Sequence, residues 1–119
     1  MTHNFLLYEP IHEAGMEVLR AAGQVRLARD VSEEAIIAEI QDVDGVVVRS
    51  RGVMSRRIMQ NAPRLKVVGR HGVGVDNIDV QAATELGIQV VYTPEATVEG
   101  VAEHTLGMML DLSKRITLA

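Results

Sequence analysis

Two short segments combine cationic side chains with residues that can expose backbone N–H groups. The first is Arg49-Ser50-Arg51-Gly52, in which two guanidinium groups flank a hydroxyl. The second is Arg70-His71-Gly72-Val73-Gly74, in which two glycines allow the loop backbone to approach a ligand closely. Because a guanidinium binds carboxylates and phosphates in a planar, bidentate way, the segments predict a site for a small acid. The predicted binding residues are Arg49, Ser50, Arg51, Gly72, Val73 and Gly74.

Both segments also have an ordinary structural interpretation. An arginine in a surface loop is usually a solvated charge, and Gly72-Val73-Gly74 is also consistent with a plain turn. The glycines do not form a dinucleotide-binding fingerprint, because the third glycine position holds Asn77. The anion-site interpretation therefore depends on whether the fold brings the two segments to one place.

No other set of residues predicts catalytic or metal chemistry. The chain has no Cys, which excludes thiolate nucleophiles and Cys-ligated metal sites. His71 and His104 have no partner at metal-ligand spacing, and Glu103 lies on a different helical face from His104. We therefore assign no catalytic and no metal-binding residue.

Each of the two segments follows a short apolar run that predicts a β-strand. Five such runs recur about 20 residues apart, the spacing of one strand plus one helix. They are residues 4–8, 24–28, 45–48, 66–69 and 89–92. The third and fourth runs are almost uninterrupted, which is typical of strands that are covered on both faces of a parallel sheet.

Start and stop signals predict a helix after each of the first four strands. The first would have Pro10 in its first turn and end at a left-handed Gly23, with an inward face of Ile11, Ala14, Val18, Leu19 and Ala22. The other three begin at N-cap residues whose side chains can accept a hydrogen bond: Ser32, Ser55 and Asp79.

Repeated strand–helix units predict an α/β fold with a doubly wound parallel sheet. Five strands favour the flavodoxin-like order 2-1-3-4-5. A five-stranded half of a nucleotide-binding fold is disfavoured, because the first strand–helix turn, Tyr8-Glu9-Pro10, has no glycine to admit a pyrophosphate. In the favoured order, a ligand binds beyond the carboxyl ends of the first and third strands, where Arg49 and Arg51 follow the third.

The residues after the fifth strand predict a long C-terminal helix with apolar side chains on more than one side. Leu106 and Leu110 add a second flank to the stripe that includes Val101, Thr105 and Met108. Such a helix usually lies between two bodies. We therefore divide the chain into a domain of residues 1–97 and a helix of residues 98–119, which would contact a second domain or a second subunit.

Length, charge and hydropathy exclude several classes of protein. A chain of 119 residues forms one domain, and its net charge of −4 argues against a broad nucleic-acid-binding face. No segment reaches the roughly 18 apolar residues of a membrane span, and the first residues do not form a signal peptide. We expect a cytoplasmic protein that binds neither nucleic acid nor membrane.

The sequence resembles the D-2-hydroxyacid dehydrogenase family over essentially its whole length. The similarity is strongest in VRSR at residues 48–51 and LKVVGRHGVGVDNID at residues 65–79. It continues through Ala82-Ala83, Gly87-Ile88, Thr93-Pro94 and VAEHT at residues 101–105. The resemblance implies a flavodoxin-like substrate domain into which a Rossmann domain that binds NAD is inserted.

The resemblance also implies roles for individual residues. Arg49 and Ser50 would line the pocket for a 2-hydroxy or 2-oxo acid, and the N–H groups of Val73 and Gly74 would hold its carboxylate. Val73 and Thr105 would lie near the nicotinamide of NAD. The final helix would cross into the Rossmann domain and take part in a homodimer contact.

The sequence departs from the family pattern in two respects. The family's catalytic Arg, Glu and His and its glycine-rich cofactor motif lie further along than this chain runs. The chain alone is therefore predicted to be inactive and to bind no cofactor. Glu95 and Thr97 also stand where the family has Gly and Asn.

A second hypothesis is a self-standing flavodoxin-like module whose role is folding and association. The apolar excess of the last helix would then favour a homodimer, formed by packing or exchange of that helix. A flavin-binding role is disfavoured, because the chain has no Trp and only Phe5, Tyr8 and Tyr92 as aromatic residues.

Overall fold

The computed structural model describes residues 3–72, residues 74–92 and Met109. Strands and helices alternate through these residues. They are β1 His3–Leu7, α1 Glu13–Ala22, β2 Gly23–Leu27, α2 Glu33–Glu39, β3 Gly45–Val48, α3 Arg56–Gln60, β4 Val67–Arg70, α4 Val80–Glu85 and β5 Gln89–Tyr92. Each of the five predicted strands is present, with bounds within one residue of the prediction.

The strands form one parallel sheet in the order β2-β1-β3-β4-β5. This confirms the predicted α/β class and the flavodoxin-like order. Since β1 and β3 are neighbours although β2 lies between them in sequence, the strand order reverses at this pair. Ligands of open α/β sheets bind at such a reversal, beyond the carboxyl ends of the strands.

One face of the sheet packs against α2, α3 and α4. The strand side chains on that face and the helix side chains that meet them form a single buried cluster. Its most buried members, all with 0% exposure, include Leu6, Val48, Val68, Ile36, Ile40, Ile58 and Ala82. Each large apolar side chain contributes about 1.5–3 kcal/mol through burial, which fixes the strand ends relative to one another.

The predicted N-caps of α2, α3 and α4 are confirmed. In each helix, the cap side chain accepts a hydrogen bond from the backbone N–H three residues on, at 3.4, 3.3 and 3.0 Å respectively. The cap residues are Ser32, Ser55 and Asp79. Because these caps satisfy N–H groups that the helix cannot pair internally, they set where each helix begins.

Helix α1 differs from the prediction at its start. It begins at Glu13, and His12 is its N-cap, with Nδ1 accepting the N–H of Ala14 at 3.0 Å. The later start leaves Pro10 and Ile11 outside the helix, and the predicted inward face is not buried. Val18 is 71% exposed, and no α1 residue is buried.

The end of α1 also differs. Gly23 is not a left-handed stop but extended backbone, with φ 173°, and it is the first residue of β2. It pairs with His3 of β1. A Cβ at this position would lie 2.0 Å from the His3 carbonyl oxygen, so the close approach of the two strands requires glycine here.

A polar cluster joins three segments at the amino edge of the sheet. The Asp44 carboxylate accepts the Asn4 N–H at 2.8 Å and is 6% exposed. Nη2 of Arg64 donates to the same carboxylate at 3.2 and 3.3 Å. The Asn4 N–H and, to a lesser degree, the Arg64 charge hold the pKa of Asp44 below its usual value.

The predicted C-terminal helix, residues 98–119, lies outside the described residues apart from Met109. Its contact with a Rossmann domain or a second subunit stays a prediction, as does the division at residue 97. Within residues 3–72 and 74–92, no helix has the length and apolarity to cross a membrane. The same residues contain no group of three or more potential metal ligands.

Candidate functional site

The two segments predicted to bind an anion lie at the same edge of the sheet. Strands β3 and β4 are paired with Val48 opposite Arg70, so Arg49 and His71 are the first residues beyond each strand. The His71 N–H donates to the Val48 carbonyl at 2.8 Å, which extends the pairing past the strand ends. The structure therefore brings Arg49 and Gly72 together at the carboxyl edge. Val73 and Thr105 lie outside the described residues.

Arg49 is partly exposed, and its guanidinium is turned toward the loop after β1. Its Nη1 donates to the Pro10 carbonyl at 2.7 Å. This is the only hydrogen bond of the guanidinium within the part of the chain that the structure describes. Because arginine has five N–H donors in a planar fork, several remain for a carboxylate or phosphate. Ser50 and Arg51, which follow it, are exposed.

The Arg51 charge acts on the loop that follows β2. The pKa of Asp30 is lowered, chiefly by hydrogen bonds from the Ser32 side chain and the Val31 N–H, and the Arg51 charge adds to this effect. Arg51 therefore lies within electrostatic reach of the β2–α2 loop, whereas Arg49 contacts the β1–α1 loop.

Tyr8 holds the far end of the Arg49–Gly52 segment. Its hydroxyl donates to the Val53 carbonyl at 2.9 Å and lies 3.0 Å from Sδ of Met54. Tyr8 is 3% exposed, and burial raises the pKa of its hydroxyl, with the Glu33 charge adding to the shift. The hydroxyl is therefore a permanent hydrogen-bond donor at physiological pH.

Sequence analysis did not identify Glu9 as part of this site. Its Oε1 accepts the backbone N–H of Arg51 at 2.6 Å, and the Ser50 hydroxyl lies 3.5 Å from the same oxygen. The sequence offered one signal, because Glu9 directly follows the first strand at the predicted reversal of strand order.

Asn77 is a second residue of this edge that the sequence motifs did not indicate. Its Nδ2 donates to the carbonyls of Arg49 and Gly52 at 2.9 and 3.3 Å. The backbone carbonyl of Asn77 accepts a hydrogen bond from the Met54 N–H at 2.8 Å. Asn77 thus joins the loop after β4 to the loop after β3, so the two predicted binding segments are held as one unit.

Arg70 adds a third guanidinium to this edge. Its Nη1 donates to the His71 carbonyl at 2.7 Å, and a Cβ on Gly72 would lie 2.7 Å from that nitrogen. Its Nε is buried and has no hydrogen-bond partner among the described residues. The sequence placed Arg70 beside the glycine loop but did not predict it as a binding residue.

We expect Asn77→Ala to lower the free energy of unfolding by about 1–2 kcal/mol, because two partly buried carbonyls lose their donor. Urea unfolding of the variant and the wild type would measure this difference. Asn61→Ala is the matched control, since its amide makes an exposed bond to the Arg57 carbonyl at 2.8 Å. Equal losses in the two variants would contradict the role assigned to Asn77.

Comparison with known proteins relates this arrangement to one enzyme family. The model of the D-isomer specific 2-hydroxyacid dehydrogenase catalytic domain matches residues 5–115. The chain is 45% identical over 114 residues to D-3-phosphoglycerate dehydrogenase of Methanocaldococcus jannaschii, covering 96% of this chain and 22% of that protein. It is 38% identical over 115 residues to D-3-phosphoglycerate dehydrogenase of Homo sapiens, covering 96% and 22%.

Solved structures show the same relationship. The PH0520 protein of Pyrococcus horikoshii OT3 superposes with a TM-score of 0.83 at 30% identity, covering 99% of this chain and 35% of that one. The NAD+-bound 3-phosphoglycerate dehydrogenase of Entamoeba histolytica superposes with a TM-score of 0.76 at 31% identity, covering 93% and 39%.

The matched region thus covers nearly all of this chain but only a small part of each relative. The chain spans about a fifth of the length of the curated relatives it matches, with 22% of the Methanocaldococcus protein covered. The family model nevertheless extends over both loops of the candidate site. The chain therefore belongs to the D-isomer specific 2-hydroxyacid dehydrogenase family and corresponds to part of its catalytic domain.

Proposed function

We propose that this chain is the substrate-binding part of an NAD-dependent dehydrogenase that acts on the CH–OH group of D-2-hydroxy acids. The observation that supports this most strongly is the β3–β4 register, which brings Arg49 and Gly72 to the same edge of the sheet. In this proposal, Arg49, Ser50 and Arg51 and the N–H groups of Val73 and Gly74 bind the acid. Such charge-assisted bonds are the strong ones in anion recognition.

The proposed substrate is a 2-hydroxy acid with a second anionic group, such as D-3-phosphoglycerate. Two relatives that match most of this chain are named D-3-phosphoglycerate dehydrogenase. Three guanidinium groups, those of Arg49, Arg51 and Arg70, lie at the carboxyl edge or in the loops beyond it. This excess of cations suits a ligand with both a carboxylate and a phosphate, because each can take a separate guanidinium.

The described residues fit a small acid better than they fit the pyrophosphate of NAD. The turn after β1 is Tyr8-Glu9-Pro10, where a carboxylate stands in place of the glycines of a pyrophosphate-binding turn. We propose that NAD binds a separate Rossmann domain of the full-length enzyme, which would supply the oxidant. Val73 and Thr105 are the residues of this chain proposed to lie near its nicotinamide.

Arg49→Ala tests the proposed site. Isothermal titration calorimetry of the chain with D-3-phosphoglycerate should show binding that weakens at least about tenfold in the variant, because a charge-assisted hydrogen bond is lost. Arg20→Ala is the control. Arg20 is an exposed residue of α1 that pairs with Glu13 at 2.5 Å, and its removal changes the net charge equally.

A comparison of ligands identifies the recognised group. D-Glycerate keeps the 2-hydroxy acid and lacks the phosphate, whereas inorganic phosphate lacks the acid. We expect affinity to fall in the order D-3-phosphoglycerate, D-glycerate, inorganic phosphate. The proposal fails if none of the three acids produces heat, or if Arg20→Ala weakens binding as much as Arg49→Ala does.

A further inference from the structure

We infer that Glu9 is a positioning residue that holds the Arg49–Gly52 segment in its ligand-binding conformation. This inference rests on the proposed function, because it concerns the same anion site. Glu9 would not touch the acid. It would act through two hydrogen bonds that its Oε1 accepts, one from the backbone N–H of Arg51 and one from the hydroxyl of Ser50.

The contact is well placed for this role. At 2.6 Å, the Arg51 N–H to Glu9 Oε1 distance is that of a short, charge-assisted hydrogen bond. Arg51 and Ser50 are exposed, so apolar packing does not hold them in place. A bond to the backbone therefore has a large share in determining where this segment lies.

Glu9 itself is held by its neighbours. It precedes Pro10, and a residue before proline is restricted to extended conformations. Tyr8 is anchored by its hydroxyl to Val53, and the Pro10 carbonyl accepts Nη1 of Arg49 at 2.7 Å. Three successive residues of the β1–α1 loop thus bind the β3–α3 loop, with the carboxylate in the middle.

A carboxylate beside an anion site also repels the ligand, and this effect opposes positioning. Across a partly solvated site the repulsion weakens binding a few-fold. Glu9→Gln removes the charge and keeps an oxygen that can accept the Arg51 N–H. Glu9→Ala removes both. Positioning predicts that the two variants differ, whereas repulsion alone predicts that both bind more tightly than the wild type.

The experiment titrates D-3-phosphoglycerate into the wild type, Glu9→Gln, Glu9→Ala and the control Glu17→Ala, which removes an exposed acid of α1. We expect Glu9→Ala to bind about tenfold more weakly and Glu9→Gln to stay within about threefold of the wild type. The Arg51 amide proton, followed by NMR without ligand, should move upfield in Glu9→Ala and not in Glu17→Ala.

The two readouts separate the inference from the proposed function. The inference is overturned if Glu9→Ala binds as tightly as the wild type or if its Arg51 amide resonance is unchanged. If the wild type binds none of the acids, the proposed function fails, and the amide resonance still decides whether Glu9 fixes the loop. Urea unfolding of each variant shows that the changes are not due to a loss of folding.

Discussion

Gly52→Ala should lower the free energy of unfolding by about 3 kcal/mol. Gly52 has a φ of +77°, where an L-residue costs roughly 1–2 kcal/mol. A Cβ there would also lie 2.9 Å from Cδ2 of Tyr8 and 3.0 Å from Cβ of Val31. Because Tyr8 is buried and cannot move aside freely, overpacking adds about 1–3 kcal/mol.

Two other glycines separate strain from overpacking. Gly87 has a φ of +74°, but a Cβ there would meet no atom within 4 Å, so Gly87→Ala should show the conformational cost alone. At Gly69 the nearest atoms would lie 3.8 Å away, and the backbone is that of a strand. Gly69→Ala should therefore change stability by less than about 0.5 kcal/mol.

Urea unfolding of the three variants would measure the series. The expected order of destabilisation is Gly52→Ala, then Gly87→Ala, then Gly69→Ala. If Gly52→Ala costs no more than Gly87→Ala, the packing of Tyr8 against this loop does not constrain it. Gly52→Ala should also bind D-3-phosphoglycerate more weakly, since the Asn77 side chain donates a hydrogen bond to the Gly52 carbonyl in the same loop as Arg49.

Asp44→Ala is expected to cost about 2–3 kcal/mol at neutral pH. The substitution leaves the Asn4 N–H without its acceptor and removes the partner of Arg64, at an edge where Asp44 is almost fully buried. Asp42→Ala is the control, since Asp42 is an exposed carboxylate paired with Arg26 at 3.0 Å. It should cost less than about 1 kcal/mol.

The cost of Asp44→Ala should depend on pH. Folding lowers the pKa of Asp44, chiefly through the Asn4 N–H. The stability this provides is fully present above the unfolded-state pKa of about 3.9, and it is lost as the pH falls through the folded-state pKa. The difference in unfolding free energy between wild type and variant should therefore be constant from pH 7 down to about pH 5, and it should narrow as the pH falls through about 4 to 3 and below. A difference that stays constant to pH 3 would contradict this account.

The sheet could be predicted from the sequence because its signals are local. Each strand is an apolar run, and three of the four helices begin at a side chain that caps the nearest free N–H groups. Helix α1 was predicted less well. His12 is a less common cap, and the helix leads directly into β2, so neither end had a distinctive residue.

For the candidate site, the sequence predicted only that the two segments after β3 and β4 lie at the same edge of the sheet, because strand order determines this. Parallel pairing brings Arg49 near Gly72 whatever the surrounding side chains are. The roles of Glu9 and Asn77 depend on long-range contacts. Glu9 contacts Arg51, 42 positions away in the sequence, and Asn77 contacts Arg49, 28 positions away. Such contacts follow from the assembled loops and leave no periodic pattern in the chain.

The polar cluster of Asn4, Asp44 and Arg64 lies at the edge opposite the candidate site. Strands of four or five residues separate the two edges by about 13–17 Å. At that distance, substitutions without shared partners contribute additively to the free energy of unfolding. Substitutions at the carboxyl ends, where the proposed site lies, therefore leave intact the stability that the opposite edge of the sheet provides.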